Sequence, residues 1–414
     1  MRFPALVIAL LLLPAVALAQ HHGHQEAEPP EPVAPDTTHA KDDKTGATWD
    51  VDTADLGPET RMQKTVTEGT WMSLDVSPDG TTIVFDLLGD IYTLPLAGGT
   101  ATRIRGGKGY DVHPRYSPDG DWISFTTDAG GGDNIWVMRA DGTGARQVTT
   151  EDYRLLNNAV WTPDGRYLIA KKHFTSRRSL GAGEMWLYDL EKPGSGVQLT
   201  EKPTDQKDVG EPEVSPDGRY LYYSLDSTPG SSFEYNKDPY GTIYTIRRLD
   251  RVTGDSRTEI SVDGGSVRPE ISPDGTRLAY VRRARLKTLL MVRDLETGQD
   301  TPLWDGLSQD SQETWAVHGV YPNYGWTPDG KSLVIWAHGK LWRVDASGAG
   351  ATEIPFRADL DVAITDVLRF SPDLGGDSFP VRVIRWPRVS PNGKTVVFQA
   401  LGQLWTRPLA GGAP

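Results

Sequence analysis

Apolar and polar positions alternate in short runs along most of the chain. Thr82-Ile83-Val84-Phe85 and Trp122-Ile123-Ser124-Phe125 put apolar side chains two residues apart, the spacing of a pleated strand. Each such run follows a four-residue punctuation: Ser77-Pro78-Asp79-Gly80, its equivalents starting at 117, 162, 215, 272 and 327, and a variant, Ser390-Pro391-Asn392-Gly393. Pro presets φ, Asp closes a local turn on the backbone and Gly accepts positive φ, so every copy predicts a reverse turn between two strands. A short strand precedes the turn, as in Leu74-Asp75-Val76 and Pro212-Glu213-Val214. A third strand carries an apolar–aromatic pair: Ile91-Tyr92, Ile135-Trp136, Met185-Trp186, Ile243-Tyr244, Leu341-Trp342 and Leu404-Trp405, with Leu289-Leu290 in the fifth unit. A weak fourth strand follows, as in Ala145-Arg146-Gln147-Val148-Thr149.

Successive turns start 40 to 63 residues apart, the length of one four-stranded propeller blade. The predicted fold is all-β: a β-propeller of four-stranded antiparallel blades over 61–414, with blades starting near 70, 110, 156, 209, 266, 320 and 383. The seventh unit runs out after its third strand, while Gln63-Lys64-Thr65-Val66-Thr67 reads as a fourth strand without a sheet. Pairing the two would close seven blades and leave no open edge. The alternative is six blades plus a partial one that continues beyond Pro414.

In such a ring the first strand of each blade lines the axis. Four residues before each turn stand Ser73, His113, Asn158, Glu211, Arg268, Asn323 and Trp386, the candidate channel-lining set. The long insertions 171–183, 201–210, 226–241, 305–319 and 356–382 fall on the face opposite the turns. Function concentrates on variable loops held by a rigid scaffold. Candidate residues of that face are His173, Arg177, Arg178, Glu184, Asp208, Tyr235, Asp238, Glu313 and His318. Two readings of the axis stand: a bound ligand, ion or peptide, or a polar lining that merely tolerates water. Asp205, Asp208, Glu211 and Glu213 form an acidic stretch whose oxygens could hold a hard cation such as Ca²⁺.

Composition narrows the class. The net charge of −13 argues against gripping nucleic acid or an anionic membrane. With 44 Gly and 30 Pro in 414 residues, against roughly 7% and 5% in ordinary chains, tight turns are expected and long helices are not. Residues 1–19 read as a secretory signal, with Arg2, an apolar run over 3–13 and Ala17-Leu18-Ala19 before cleavage at Gln20. The mature protein is therefore expected to be extracytoplasmic, periplasmic or secreted, after a flexible leader over 20–60. No apolar run reaches the roughly 20 residues of a membrane span. The chain has no Cys, so no disulfide or Cys-bound zinc is available.

Catalytic patterns are not found. There is no Gly-x-Ser-x-Gly, no Gly-x-x-x-x-Gly-Lys, no His-Glu-x-x-His and no full EF-hand loop. His22-Gly23-His24 sits in the leader, away from any strand end. The repeated Ser-Pro-Asp-Gly with its Ile-Trp or Ile-Tyr pair resembles the WD-like repeat of TolB-type propellers, found also in tricorn protease and in prolyl-oligopeptidase relatives.

More specific stretches are Gly69-Thr70-Trp71-Met72-Ser73-Leu74-Asp75-Val76, Leu87-Leu88-Gly89-Asp90-Ile91-Tyr92, Arg178-Ser179-Leu180-Gly181-Ala182-Gly183-Glu184, Lys207-Asp208-Val209-Gly210-Glu211-Pro212 and Gln312-Glu313-Thr314-Trp315. They are similar to the N-terminal propeller of secreted bacterial proteins in which TolB-like repeats precede a metal-dependent amidohydrolase barrel. That resemblance implies a non-catalytic propeller gating access to, or mediating interactions for, a downstream hydrolase domain that carries the divalent metal. No catalytic residue and no cofactor is carried over to this chain. The alternatives are a freestanding TolB-like binding protein with a protein or peptide partner on the insertion-rich face, and the propeller of a prolyl-oligopeptidase-like serine peptidase.

Overall fold

A computed structural model describes residues 50–175, 181–192, 194–366 and 377–414. The signal sequence, most of the leader, and Arg177 and Arg178 lie outside them. Among the described residues every regular element is a strand. Six four-stranded antiparallel sheets follow one another, their innermost strands being Leu74–Val76, Val112–Tyr116, Leu155–Trp161, Val209–Val214, Val267–Ile271 and Gly325–Trp326. We number these blades one to six.

The turns behave as their chemistry dictates. In the first, the Ser77 hydroxyl donates to Asp79 Oδ1 (2.6 Å), which also accepts the Thr81 amide (3.0 Å). The same hydroxyl–carboxylate bond recurs at 2.5 Å in Ser117–Asp119 and Ser215–Asp217, and in the variant the Ser390 hydroxyl donates instead to the Asn392 amide oxygen (2.7 Å). These bonds hold the turn aspartates below the usual carboxylate range, Asp274 at about 2, with its Ser272 bond the largest cause. The predicted apolar–aromatic pairs lie on third strands, except that Ile243 immediately precedes Tyr244–Asp250.

The ring closes between blades one and six. The Leu74 amide donates to the Asn323 carbonyl (3.1 Å), and the Gly69 amide to the Gly339 carbonyl (3.0 Å). The Trp336 indole N–H reaches the Gly69 carbonyl (2.8 Å). On the turn side, a Cβ on Gly80 would meet Pro328 at 3.3 Å, just as one on Gly120 would meet Pro78 at 3.5 Å. Blade six therefore stands to blade one as blade one stands to blade two.

Of the two expectations, the described residues show six blades plus a partial one rather than a closed seventh. The strand Glu59–Val66, which contains most of 63–67, pairs antiparallel with Phe356–Thr365, and the latter pairs parallel with Gly99–Thr100. The resulting clasp lies over the seam and buries Phe356, Ala358 and Leu360. Phe356 meets Phe85 of blade one edge-on at 5.6 Å. The seventh unit is a separate three-stranded sheet, Arg385–Val389, Thr395–Ala400 and Gln403–Pro408, and its first strand is exposed throughout. The place beside blade one is already taken, so Trp386, expected in the channel, is 71% exposed.

Candidate functional site

The other six candidate channel residues are all buried. In blades two to five the residue four before the turn sits in a bulge and adopts the left-handed region: His113 (φ 56°), Asn158 (52°), Glu211 (58°) and Arg268 (53°). Such a conformation costs about 1–3 kcal/mol in a non-glycine residue and persists only where surroundings over-determine it. Here the surroundings are a polar network. Arg268 donates from Nε to the Tyr321 carbonyl (2.9 Å) and from Nη1 to Asn158 Oδ1 (3.0 Å) and to Asn323, and its Nη2 lies 3.4 Å from Glu211. Glu211 accepts the Arg268 amide (2.7 Å) and the Ser224 hydroxyl (2.5 Å). Asp86 bridges the Ser73 and His113 amides (3.0 and 2.9 Å), and burial pushes its carboxyl up to about 7.

The insertion between blades five and six runs across the axis above this network. Its Val317 carbonyl accepts from Lys171 Nζ (2.9 Å), its His318 carbonyl from Asn158 Nδ2 (3.0 Å), and its Val320 amide donates to Glu211 Oε1 (2.8 Å). Further out, Lys237 Nζ donates to the Gln312 carbonyl (3.2 Å), and Arg283 pairs with Asp310 (2.5 Å) and with Glu313. The insertion-face mouth is thus stoppered by protein.

The remaining insertion-face candidates separate. The His318 ring packs at a tilt against His113 with ring centres 5.4 Å apart, and His173 packs on Trp315 at 5.6 Å. Burial is the first cause that keeps all three imidazoles neutral: His173 is pushed down to about 3, His318 to about 4, and His113 well below its usual value. The 3.4 Å approach of His318 Nε2 to Asp133 is therefore not an ion pair at neutral pH. Glu184 accepts from Trp186 Nε1 (3.0 Å) and Gln198 (3.1 Å). Tyr235 and Asp238 are exposed on the 226–241 loop. The acidic stretch does not assemble. Asp205 pairs with Lys202 (3.0 Å), Asp208 with Lys171 (2.6 Å), Glu211 with Arg268, and Glu213 faces the other end of the axis. Among the described residues no group of three His, Cys, Asp or Glu is spaced to hold a metal ion.

At the turn end the axis opens into a funnel of about 440 Å³ rimmed by Pro78, Pro118, Pro163, Pro216, Pro273 and Pro328, one from each blade. Below the rim lie Asp75, Arg115, Glu213 and Glu270, two residues before their turns. Of this layer the sequence singled out only Glu213, as part of the acidic stretch. Strand alternation carries the signal, since residues two and four before a turn share a face, but the bulge between them breaks the simple count.

An all-strand ring of repeated four-stranded blades defines a β-propeller. Residues 72–225 match the family model of the tricorn protease N-terminal beta propeller domain. Over 317 residues the chain is 26% identical to tricorn protease homolog 1 of Streptomyces coelicolor, covering 75% of this chain and 26% of that protein. Over 81 residues it is 37% identical to an uncharacterised protein of Agrobacterium fabrum, covering 19% of this chain and 28% of that one. The chain thus spans only 26% and 28% of the length of these two relatives. The crystal structure of TolB from Acinetobacter baumannii shares the fold, with a TM-score of 0.52 at 14% identity over 70% of this chain and 65% of that one.

Proposed function

We propose that this chain is the non-catalytic, extracytoplasmic propeller of a hydrolase of the amidohydrolase type, docking a protein partner or the hydrolase domain on its insertion-rich face. The observation that carries this is the stoppered axis. A mouth closed by the 305–319 insertion and by the buried Arg268 network cannot pass substrate, which favours interaction over gating. Exposed tyrosines stand on the same face: Tyr153 (70% exposed) ahead of blade three, and Tyr235 (76%) and Tyr240 (58%) on the 226–241 loop. Tyrosine is enriched at protein interfaces because it offers wide contact area with few rotamers to freeze. On this reading the hydrolytic residues and the divalent metal belong to the hydrolase domain.

The test has two parts. Purified chain, with and without added Zn²⁺ or Mn²⁺, is expected to leave peptide and amide substrates intact; turnover under either condition would overturn the reading. The reading frame after Pro414 is expected to encode His-x-His after a strand. Gly-x-Ser-x-Gly there would instead favour a serine peptidase, and a stop codon a freestanding TolB-like binding protein.

A further inference from the structure

The funnel at the turn end lies opposite the docking face and takes no part in the reading above. Its rim is uniform, six prolines contributed by six equivalent turns, and its wall includes Trp161 and Trp326, whose indole N–H groups are spent on the Arg115 and Glu270 carbonyls (3.1 and 3.0 Å). Rim and wall are therefore apolar and rigid. Its volume falls within the roughly 300–1,000 Å³ of small-ligand pockets.

The floor is different. Three carboxylates face one guanidinium, and that guanidinium is committed. Arg115 forks onto Glu270, with Nη1–Oε1 at 3.1 Å and Nη2–Oε2 at 2.9 Å. Its distances to Glu213 Oε2 (3.7 Å) and Asp75 Oδ1 (4.0 Å) are longer than hydrogen bonds. Asp75 accepts the Val76 and Tyr116 amides, both at 2.8 Å. Glu213 Oε2 accepts nothing, although Glu213 is 7% exposed and lines the cavity. A buried carboxylate oxygen without a donor costs several kcal/mol unless a proton or a cation reaches it.

Gly325 keeps the space beside this floor clear, since a Cβ there would come within 3.0 Å of Asp75 Oδ1. Among the described residues no carboxylate group here is spaced for a metal ion. An organic cation reaches such oxygens through hydrogen bonds of about 2.8 Å and leaves its stem against the apolar wall.

We infer that the turn-end funnel is a binding site for a cationic group on an aliphatic stem, an ammonium or guanidinium hydrogen-bonded to Glu213 and Asp75. Two sources present that chemistry, a Lys or Arg side chain of a peptide entering along the axis and a free polyamine.

The experiment is isothermal titration of the whole chain with acetyl-Ala-Lys-Ala-amide, its norleucine counterpart and spermidine, at low salt and pH 6.5. The lysine peptide, spermidine or both are expected to bind, and the norleucine peptide is not. Which of the two binds more tightly identifies the source. Glu213→Gln, nearly isosteric, should weaken binding at least tenfold, whereas Asp305→Asn, on the opposite face, should leave it unchanged. A second readout needs no variant. Burial pushes the Asp75 carboxyl up to about 6 and Glu213 well above its usual value, so a bound cation should expel protons and make the binding enthalpy depend on the buffer. Absence of binding by both cations at millimolar concentration, equal binding of the norleucine peptide, or undiminished binding by the Gln variant overturns the site. None of these outcomes bears on the docking face.

Discussion

Buried imidazoles that make no hydrogen bond set the pH response of single residues. Neither ring nitrogen of His173 has a partner, and the residue is 1% exposed. Unfolded, it takes up a proton near the ordinary imidazole value of 6.5; folded, it resists until about 3. The unfolded state therefore binds more protons across that window, and stability is lost as pH falls through it. His173→Leu, close in volume, should remove about 2 kcal/mol of this penalty at pH 5 and little at pH 8. Urea denaturation at the two pH values checks it, and an unchanged pH slope would count against a neutral buried imidazole. Asp86 acts with the opposite sign. Its folded value of about 7 lies above the ordinary carboxyl value of 3.8, so it favours the folded state less as pH rises from 4 to 7. The comparison must therefore be variant against wild type, not one pH against another. Arg268 is the second residue with a decisive role. Arg268→Met would leave Glu211 buried beside a hydrocarbon, and removing one partner of a buried pair costs about 3–5 kcal/mol, readable in the same denaturation curves.

At the scale of elements, turn and strand chemistry was legible and long-range pairing was not. The Ser-Pro-Asp-Gly turns form the bonds their residue types imply, and Ile91-Tyr92 through Leu341-Trp342 mark third strands. Six of the seven candidate positions are buried, and Asn158, Glu211, Arg268 and Asn323 share one network because the offset from the turn is the same in each blade. What closed the axis could not be read. The bonds from Lys171 to Val317 and from Asn158 to His318 span 146 and 160 residues, and no local pattern in the 305–319 insertion announces them. The clasp is the element on which closure depends most. Phe356→Ala should cost about 3–5 kcal/mol and speed hydrogen exchange in Glu59–Val66 and at the blade one–six seam together. Faster exchange in only one of them would mean that the clasp does not couple the two.

For the whole molecule, the question is which sheets form the ring. The seventh tetrapeptide looked like the other six because its sheet is built like theirs. It even repeats the bulge, with Trp386 at φ 50°. The sequence difference lay in the spacing, since the last interval, 63 residues, is the longest and holds the clasp strand Phe356–Thr365. Removing 377–414 should leave the ring's melting temperature within about 2 °C, about 1 kcal/mol or less for a domain this large. A larger loss would show that the seventh sheet braces the ring.

A six-bladed closure stoppered at one end and open at the other makes a definite demand on one pair of strands. Gln63 stands opposite Asp361 in the clasp, at the cross-strand separation a disulfide requires, and the chain has no other cysteine to compete. Oxidised Gln63→Cys/Asp361→Cys protein should therefore form the intramolecular crosslink in high yield, detected by mass spectrometry of the digested chain. The control double variant Gln63→Cys/Thr406→Cys, which joins the same strand to the seventh sheet, should not. Crosslinking of the second pair in place of the first would mean that the N-terminal strand completes a seventh blade, and both the stoppered axis and the six-proline funnel would have to be abandoned.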